Sequence, residues 1–126
     1  MQNSPPSKRR AVIIEDDSAF ADSLARILGT LGYDVLVRLD SNASETFEIR
    51  DSDIVFLDLR MPRVSGLQVL ERFDRQNVPS PIVLLSGDED YLREAEKAIK
   101  KSRLSLLGVL HKPFIRADVR AVLEEI

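Results

Sequence analysis

Cysteine is absent from this 126-residue chain. That excludes disulfides, thiolate metal sites and cysteine nucleophiles, and it suits a reducing cytoplasm. No apolar run approaches the length of a membrane span. The opening MQNSPPSKRR has basic residues but no apolar stretch behind them, so it does not read as a secretory signal. The Pro, Ser and Asn content of Met1–Ser7 predicts a disordered lead, with the folded domain over residues 8–126. Basic charge is not in excess: 18 Lys and Arg face 21 Asp and Glu, for a net charge of -3. This gives no electrostatic basis for direct binding of nucleic acid or an anionic membrane. Internal repeats and low-complexity tracts are also missing. The single histidine, His111, has no His, Cys or carboxylate partner in motif spacing, so it is assigned no catalytic role.

What remains is ordinary globular material, 44% hydrophobic and 31% charged, of a length that suits one domain with one core. AVIIE (Ala11–Glu15) is a short β-branched run that predicts a buried strand. Phe20, Leu24, Ile27, Leu28 and Leu31 then share one helical face, and Gly32 sits where a helix C-terminus turns. YDVLV (Tyr33–Val37) predicts a second strand, ending at an exposed edge position, Arg38. SNASETFEI is a weaker helical segment resting on Ala43 and Phe47. DIVFLD (Asp53–Asp58) is a continuously apolar strand. After the loop MPRVSG, Leu67, Leu70 and Phe73 form a helical stripe with Ser65 as its cap. Pro79 and Pro81 bracket a turn before IVLLS (Ile82–Ser86). Asp88 caps a helix carrying Leu92, Ala95 and Ile99. SLLGVLHK holds the fifth strand, and Ile115, Val119, Val122, Leu123 and Ile126 form the apolar face of a last helix. Five β-α units whose strands are apolar throughout predict an α/β fold, a doubly wound parallel sheet covered on both faces.

In such a sheet, sites form beyond the carboxyl ends of the strands. Glu15, Asp16 and Asp17 follow the first strand, Asp58 the third, Ser86 and Gly87 the fourth, Lys112 and Pro113 the fifth. Carboxylates gathered on one rim repel, by roughly 4 kcal/mol for a pair about 4 Å apart at an effective dielectric near 20. Lys112 alone does not balance them. A hard divalent cation does, and carboxylate oxygen suits Mg²⁺ or Mn²⁺. The Ser86 hydroxyl and the Gly87 N–H are donors suited to a phosphoryl group, and aspartate is a nucleophile able to form an aspartyl phosphate.

The ordered set VIIEDD, DLRMP with the later Gly66, LLSG and HKPF resembles the receiver domain of two-component response regulators, over residues 9–126. The resemblance implies the flavodoxin-like strand order 2-1-3-4-5. It implies that Asp58 is the phosphoacceptor, that Asp16 binds the metal directly and Glu15 through water, and that Asp58 and the Arg60 backbone carbonyl complete the ligands. Ser86 matches the family's switch hydroxyl and Lys112 its phosphate-contacting lysine, and the bond before Pro113 is expected to be cis. The implied partners are a sensor histidine kinase or histidine phosphotransfer protein as donor, and an output domain or separate target as recipient. A second copy of the chain is a further candidate. The implied action is phosphotransfer to Asp58, followed by movement of Ser86 and a population shift in the face around the last strand.

Two departures stand out. The family often has an aromatic three residues before the lysine, where this chain has Val109. The stretch from Ser86 to Lys112 is longer than in the commonest members by about one helical turn of 3.6 residues, and it looks like receivers attached to EAL-type cyclic-di-GMP phosphodiesterases. The last receiver helix is expected to end with the chain, leaving any output domain outside it.

Blander readings stand beside these. Asp17 reads as a helix N-cap. Arg60 and Asp88, two residues after Asp58 and Ser86, either tune dephosphorylation or form an exposed ion pair worth little. Lys97, Lys100, Lys101 and Arg103 suit a helix C-terminus, and Tyr33 and Tyr91 read as packing or surface residues. Competing functions are fewer. A haloacid-dehalogenase-like phosphohydrolase has a second Asp two residues after its nucleophile, where this chain has Arg60. A flavodoxin has a Ser/Thr-rich phosphate loop after the first strand, where this chain has acids. A pseudo-receiver acting only as an interaction module is the remaining alternative.

Overall fold

A computed structural model of the chain describes residues 8–39, 49–61 and 65–126. The proposed disordered lead and the weaker SNASETFEI helix lie outside the described residues, apart from Ile49. The elements run β1 (Arg10–Ile14), α1 (Ser18–Thr30), β2 (Asp34–Arg38), β3 (Ile54–Asp58), α2 (Gly66–Arg75), β4 (Pro81–Ser86), α3 (Glu89–Lys100), β5 (Ser105–His111) and α4 (Arg116–Leu123). All strand pairs are parallel, in the order β2-β1-β3-β4-β5, as expected.

Side chains alternate across a strand, and here the alternation divides the core in two. Val12, Ile14, Val55, Leu57, Ile82 and Leu84 face α2 and α3, meeting Val69, Leu70, Phe73, Leu92, Ala95 and Ile99. Ala11, Ile13, Ile54, Phe56, Val83 and Leu85 face α1 and α4, meeting Ala21, Leu24, Leu28 and Val119. Every residue of β3 is buried, because it is central in the sheet and covered on both faces. That is why it reads as an unbroken apolar run ending in one carboxylate.

The helix boundaries have local causes. The Asp17 side chain accepts from Phe20 N–H and caps α1. Ser65 and Gln68 form a reciprocal capping box on α2, and Asp88 accepts from the N–H groups of Asp90 and Tyr91 to cap α3. At the end of α1, Gly32 has φ +93. Its N–H reaches Gly29 O at 3.1 Å and Tyr33 N–H reaches Leu28 O at 3.0 Å. This Schellman closure draws Tyr33 into the turn, so β2 begins at Asp34 and not at Tyr33. Asn77 does the same for α2 with φ 54, a turn that the sequence pattern did not single out.

Two expectations are corrected. Ile115 and Ile126 do not lie on the apolar face of α4: Ile115 is its N-cap, 66% exposed, and Ile126 lies beyond its end, 57% exposed. Arg38 is half-buried rather than exposed. The Lys112–Pro113 bond is cis, as expected.

Candidate functional site

The carboxyl ends of β1, β3, β4 and β5 meet at one rim, and backbone bonds fix their relative height. Glu15 N–H donates to Arg38 O at 3.0 Å, Leu59 N–H to Leu85 O at 3.2 Å, and Lys112 N–H to Ser86 O at 2.8 Å. Asp58 is the last residue of β3 and is 3% exposed. Its Oδ1 accepts from the Arg60 N–H at 3.3 Å and from Lys112 Nζ at 3.4 Å. Glu15 is also buried. Its Oε2 accepts from Lys112 Nζ at 3.0 Å and its Oε1 from the Asp17 N–H at 3.2 Å. One ammonium thus serves two buried carboxylates.

The chain leaves Asp58 under a tight constraint at Gly66, whose N–H donates to Leu59 O at 3.0 Å. A Cβ there would fall 2.6 Å from Leu59 Cα and 2.9 Å from Asp58 O, both backbone atoms. Gly66 therefore lets α2 start directly against the strand end that carries Asp58.

Electrostatics follow from this crowding. Burial and the neighbouring Asp58 push the Glu15 carboxyl up to about 7, against the pull of Lys112 and the Asp17 N–H. Burial lowers the Lys112 ammonium, but its bonds and charge attraction to Glu15 and Asp58 outweigh this, and its pKa is raised. Carboxylate oxygens of Glu15, Asp16 and Asp58 lie within 4.8 Å of one another, with Asp16 exposed to solvent. Three oxygen donors, more negative charge than Lys112 neutralises and one solvent-facing member are a donor set that fits a hard divalent cation.

Beside Asp58 opens a cavity of about 240 Å³ lined by Arg60, Ser86, Gly87, Asp88, Tyr91 and Lys112. Ser86, 4% exposed, donates its hydroxyl to Asp88 O at 2.8 Å and accepts from Asp88 N–H at 3.1 Å. Its hydroxyl is held by its own loop. Arg60 spans the mouth: its guanidinium is 3.7 Å from Asp88 Oδ2 and 5.7 Å from the centre of the Tyr91 ring.

Every expected site residue is therefore at one rim. Tyr91, read as packing or surface from sequence, lines the cavity. Phe20, read as a residue of α1's apolar face, lies under Lys112, with Nζ 4.1 Å from its ring centre. The signal for both is weak in sequence because each contact joins distant elements. His111 does meet a carboxylate, Glu89 at 3.3 Å, but both side chains are exposed. Val109 packs against the α2/α3 side of the core. Lys97 and Lys100 occupy the last turn of α3, and Lys101 is its C-cap.

Comparison with known proteins agrees with this fold. The family described as "Response regulator receiver domain" matches residues 11–124. The positive alginate biosynthesis regulatory protein of Pseudomonas aeruginosa is 33% identical over 118 residues, 90% of this chain and 45% of that protein. The transcriptional regulatory protein FixJ of Bradyrhizobium diazoefficiens is 29% identical over 94% of this chain and 56% of its own length. The cell cycle transcriptional regulator CtrA of Caulobacter vibrioides is 34% identical over 89% and 47%. The chain spans about half the length of these curated relatives. Among solved structures, a response regulator from Colwellia psychrerythraea superposes with a TM-score of 0.83 at 26% identity, covering 94% of this chain and 95% of that one.

Proposed function

We propose, from the premise that the chain belongs to the response regulator receiver domain family, that Asp58 is its phosphoacceptor and that the rim around it is a phosphotransfer and switching site. A receiver domain is a signalling module and not an enzyme in the usual sense. The observation that carries the assignment is a buried carboxylate held by Lys112 at the edge of an open cavity lined by Ser86 and Gly87. The donor is a phosphohistidine on a sensor kinase or phosphotransfer protein. A carboxylate oxygen of Asp58 attacks phosphorus, an O–P bond forms, the P–N bond breaks, and the imidazole leaves with the electron pair. Lys112 neutralises charge on the phosphoryl oxygens from a position fixed before the reaction, and the Gly87 N–H and Ser86 hydroxyl receive those oxygens.

The ion is assigned to Asp16, Asp58, the Arg60 carbonyl and, through water, Glu15. When bound, Mg²⁺ or Mn²⁺ supplies positive charge to the transferring group. The switch starts at Ser86, whose hydroxyl must leave Asp88 O to donate to the phosphoryl group. This loosens the start of α3, which Asp88 caps. With Val109 where the family often has an aromatic, the rearrangement runs through the Ser86–Asp88 loop itself. Arg60, Asp88 and Tyr91 frame the mouth, and they are assigned the control of water entry and hence of self-catalysed dephosphorylation. The recipient is an output domain or separate target; the resemblance to receivers on EAL-type phosphodiesterases names one candidate class. The pseudo-receiver alternative is disfavoured because the acids, Ser86 and Lys112 lie together at one rim.

The test is intact-mass measurement after a small phosphodonor with Mg²⁺. The wild type is expected to gain one phosphoryl group and Asp58→Ala none. An equal gain in Asp58→Ala would remove Asp58 from this role.

A further inference from the structure

We infer that Phe20 is a positioning residue for Lys112: its ring face holds the ammonium over the acidic rim and keeps it there as Asp58 changes charge. The inference rests on the phosphotransfer reading above and adds a residue which that reading does not contain.

Lys112 Nζ is 4.1 Å from the centre of the Phe20 ring, well inside the range of a cation–π attraction. An ammonium has three donors. Two point to Glu15 Oε2 at 3.0 Å and Asp58 Oδ1 at 3.4 Å, and the ring supplies an attractive surface on another side. The lysine stem is long and flexible, while its side chain is only 27% exposed, so its placement is set by what surrounds it.

The ring is itself fixed. Phe20 N–H donates to the Asp17 cap at 3.1 Å, and Asp17 N–H donates to Glu15 Oε1 at 3.2 Å. Phe114, two residues after Lys112, meets Phe20 edge to face with ring centres 5.4 Å apart. A closed circuit results: Glu15 to Asp17, Asp17 to Phe20, Phe20 to Lys112, Lys112 back to Glu15.

This arrangement does something Asp58 cannot. When Asp58 becomes an acyl phosphate, its carboxylate charge moves outward onto the phosphoryl oxygens, and the ion pair at Oδ1 is remade. The attraction between ring and ammonium is unaffected by that change. Together with Glu15, Phe20 therefore supplies a part of the Lys112 environment that is the same before and after transfer, which is what preorganised stabilisation of a transferring group requires.

The experiment compares wild type, Phe20→Leu and Phe20→Tyr. Leucine keeps an apolar side chain but removes the ring and its contact with Phe114, and tyrosine keeps the ring. Two quantities are measured: the rate of phosphorylation by acetyl phosphate with Mg²⁺, and the NMR shift of the Lys112 ε-methylene protons, which an overlying ring moves upfield. Phe20→Leu is expected to slow phosphorylation about three- to ten-fold and to abolish the upfield shift; Phe20→Tyr is expected to retain both. An unshifted ε-methylene in the wild type overturns the inference whatever the variants do. So does a Phe20→Leu rate within about two-fold of wild type, or equal slowing by both substitutions. A wild type that takes no phosphoryl group, yet shows the upfield shift, overturns the phosphotransfer reading and leaves the ring–ammonium contact standing.

Discussion

At the scale of single residues, the buried acid Glu15 gives the site a pH signature. Its carboxyl titrates near 7 in the folded protein against 4.5 for the ordinary side chain. Between those values the folded state holds a proton that the unfolded state has released, so stability contributed by Glu15 falls as pH rises through this window. The slope is at most about 1.4 kcal/mol per pH unit. Lys112 does not interfere: its raised pKa contributes stability that is complete below 10.5 and is lost only above it. Metal binding requires the deprotonated carboxylate, so Mg²⁺ is expected to raise the melting temperature more at the upper end of the window than at the lower. Thermal unfolding of wild type and Glu15→Gln, with and without Mg²⁺, checks this. The variant is expected to lose the slope, and an unchanged slope in Glu15→Gln would assign it to another group. The acids, Ser86 and Lys112 were legible in sequence because each follows a strand whose apolar run marks its end. Phe20 and Tyr91 were not, because an aromatic on a helix stripe looks the same whether it meets core or a charged tip. Only the fold decides, by setting Phe20 beside Lys112 and Tyr91 beside Arg60.

At the scale of elements, glycine separates positions where the backbone needs space from positions where it does not. Gly66→Ala would drive a Cβ into Leu59 Cα and Asp58 O, and backbone atoms of a central strand cannot give way cheaply. A loss of about 1–3 kcal/mol is expected, with slower phosphorylation because the displaced atoms belong to Asp58 and its neighbour. Gly29, inside α1, has nothing within 4 Å of its would-be Cβ. Gly29→Ala is expected to stabilise by about 0.5–1 kcal/mol and leave phosphorylation unchanged. Denaturant titration of both variants reads the opposite signs, and a stabilising Gly66→Ala would refute the close-approach argument. The sequence marked Gly66 only as part of a motif; its physical reason appears once α2 is seen to start against β3. Helix starts were legible because Asp17, Ser65 and Asp88 act through their own side chains on the next turn. The α2 stop at Asn77 was less so, since a left-handed Asn competes with many ordinary ones. Ile115 was misplaced because an apolar residue one turn before Val119 fits the helical period, yet the chain is still extended there, at φ -118 and ψ 173.

At the scale of the whole molecule, the sheet separates stability from chemistry along its strands. The acidic rim around Asp58 lies at the carboxyl ends. At the opposite end, Asp53 is fully buried just before β3. Its carboxylate takes Arg10 through Nη2 at 2.6 Å and Nε at 3.0 Å, and the Arg50 N–H at 2.7 Å. The Ser80 hydroxyl donates to Arg50 O at 2.8 Å. These bonds clamp the starts of β1, β3 and β4, about 15 Å along the strands from Asp58. Asp53→Ala withdraws the carboxylate from a guanidinium that is largely buried and from a backbone donor, and removal of one partner of a buried pair costs about 3–5 kcal/mol. For a domain of this size the melting temperature should fall by about 10 °C or more. Well below that temperature the rim is still assembled by the β1–β2, β3–β4 and β4–β5 backbone bonds, so phosphorylation of Asp58 should proceed within about two-fold of wild type. Calorimetry and intact-mass kinetics on the same sample separate the two effects. A large loss of phosphorylation rate at a temperature where Asp53→Ala is fully folded would show that the clamp and the rim are coupled through β3, and that the two ends of the sheet do not act independently.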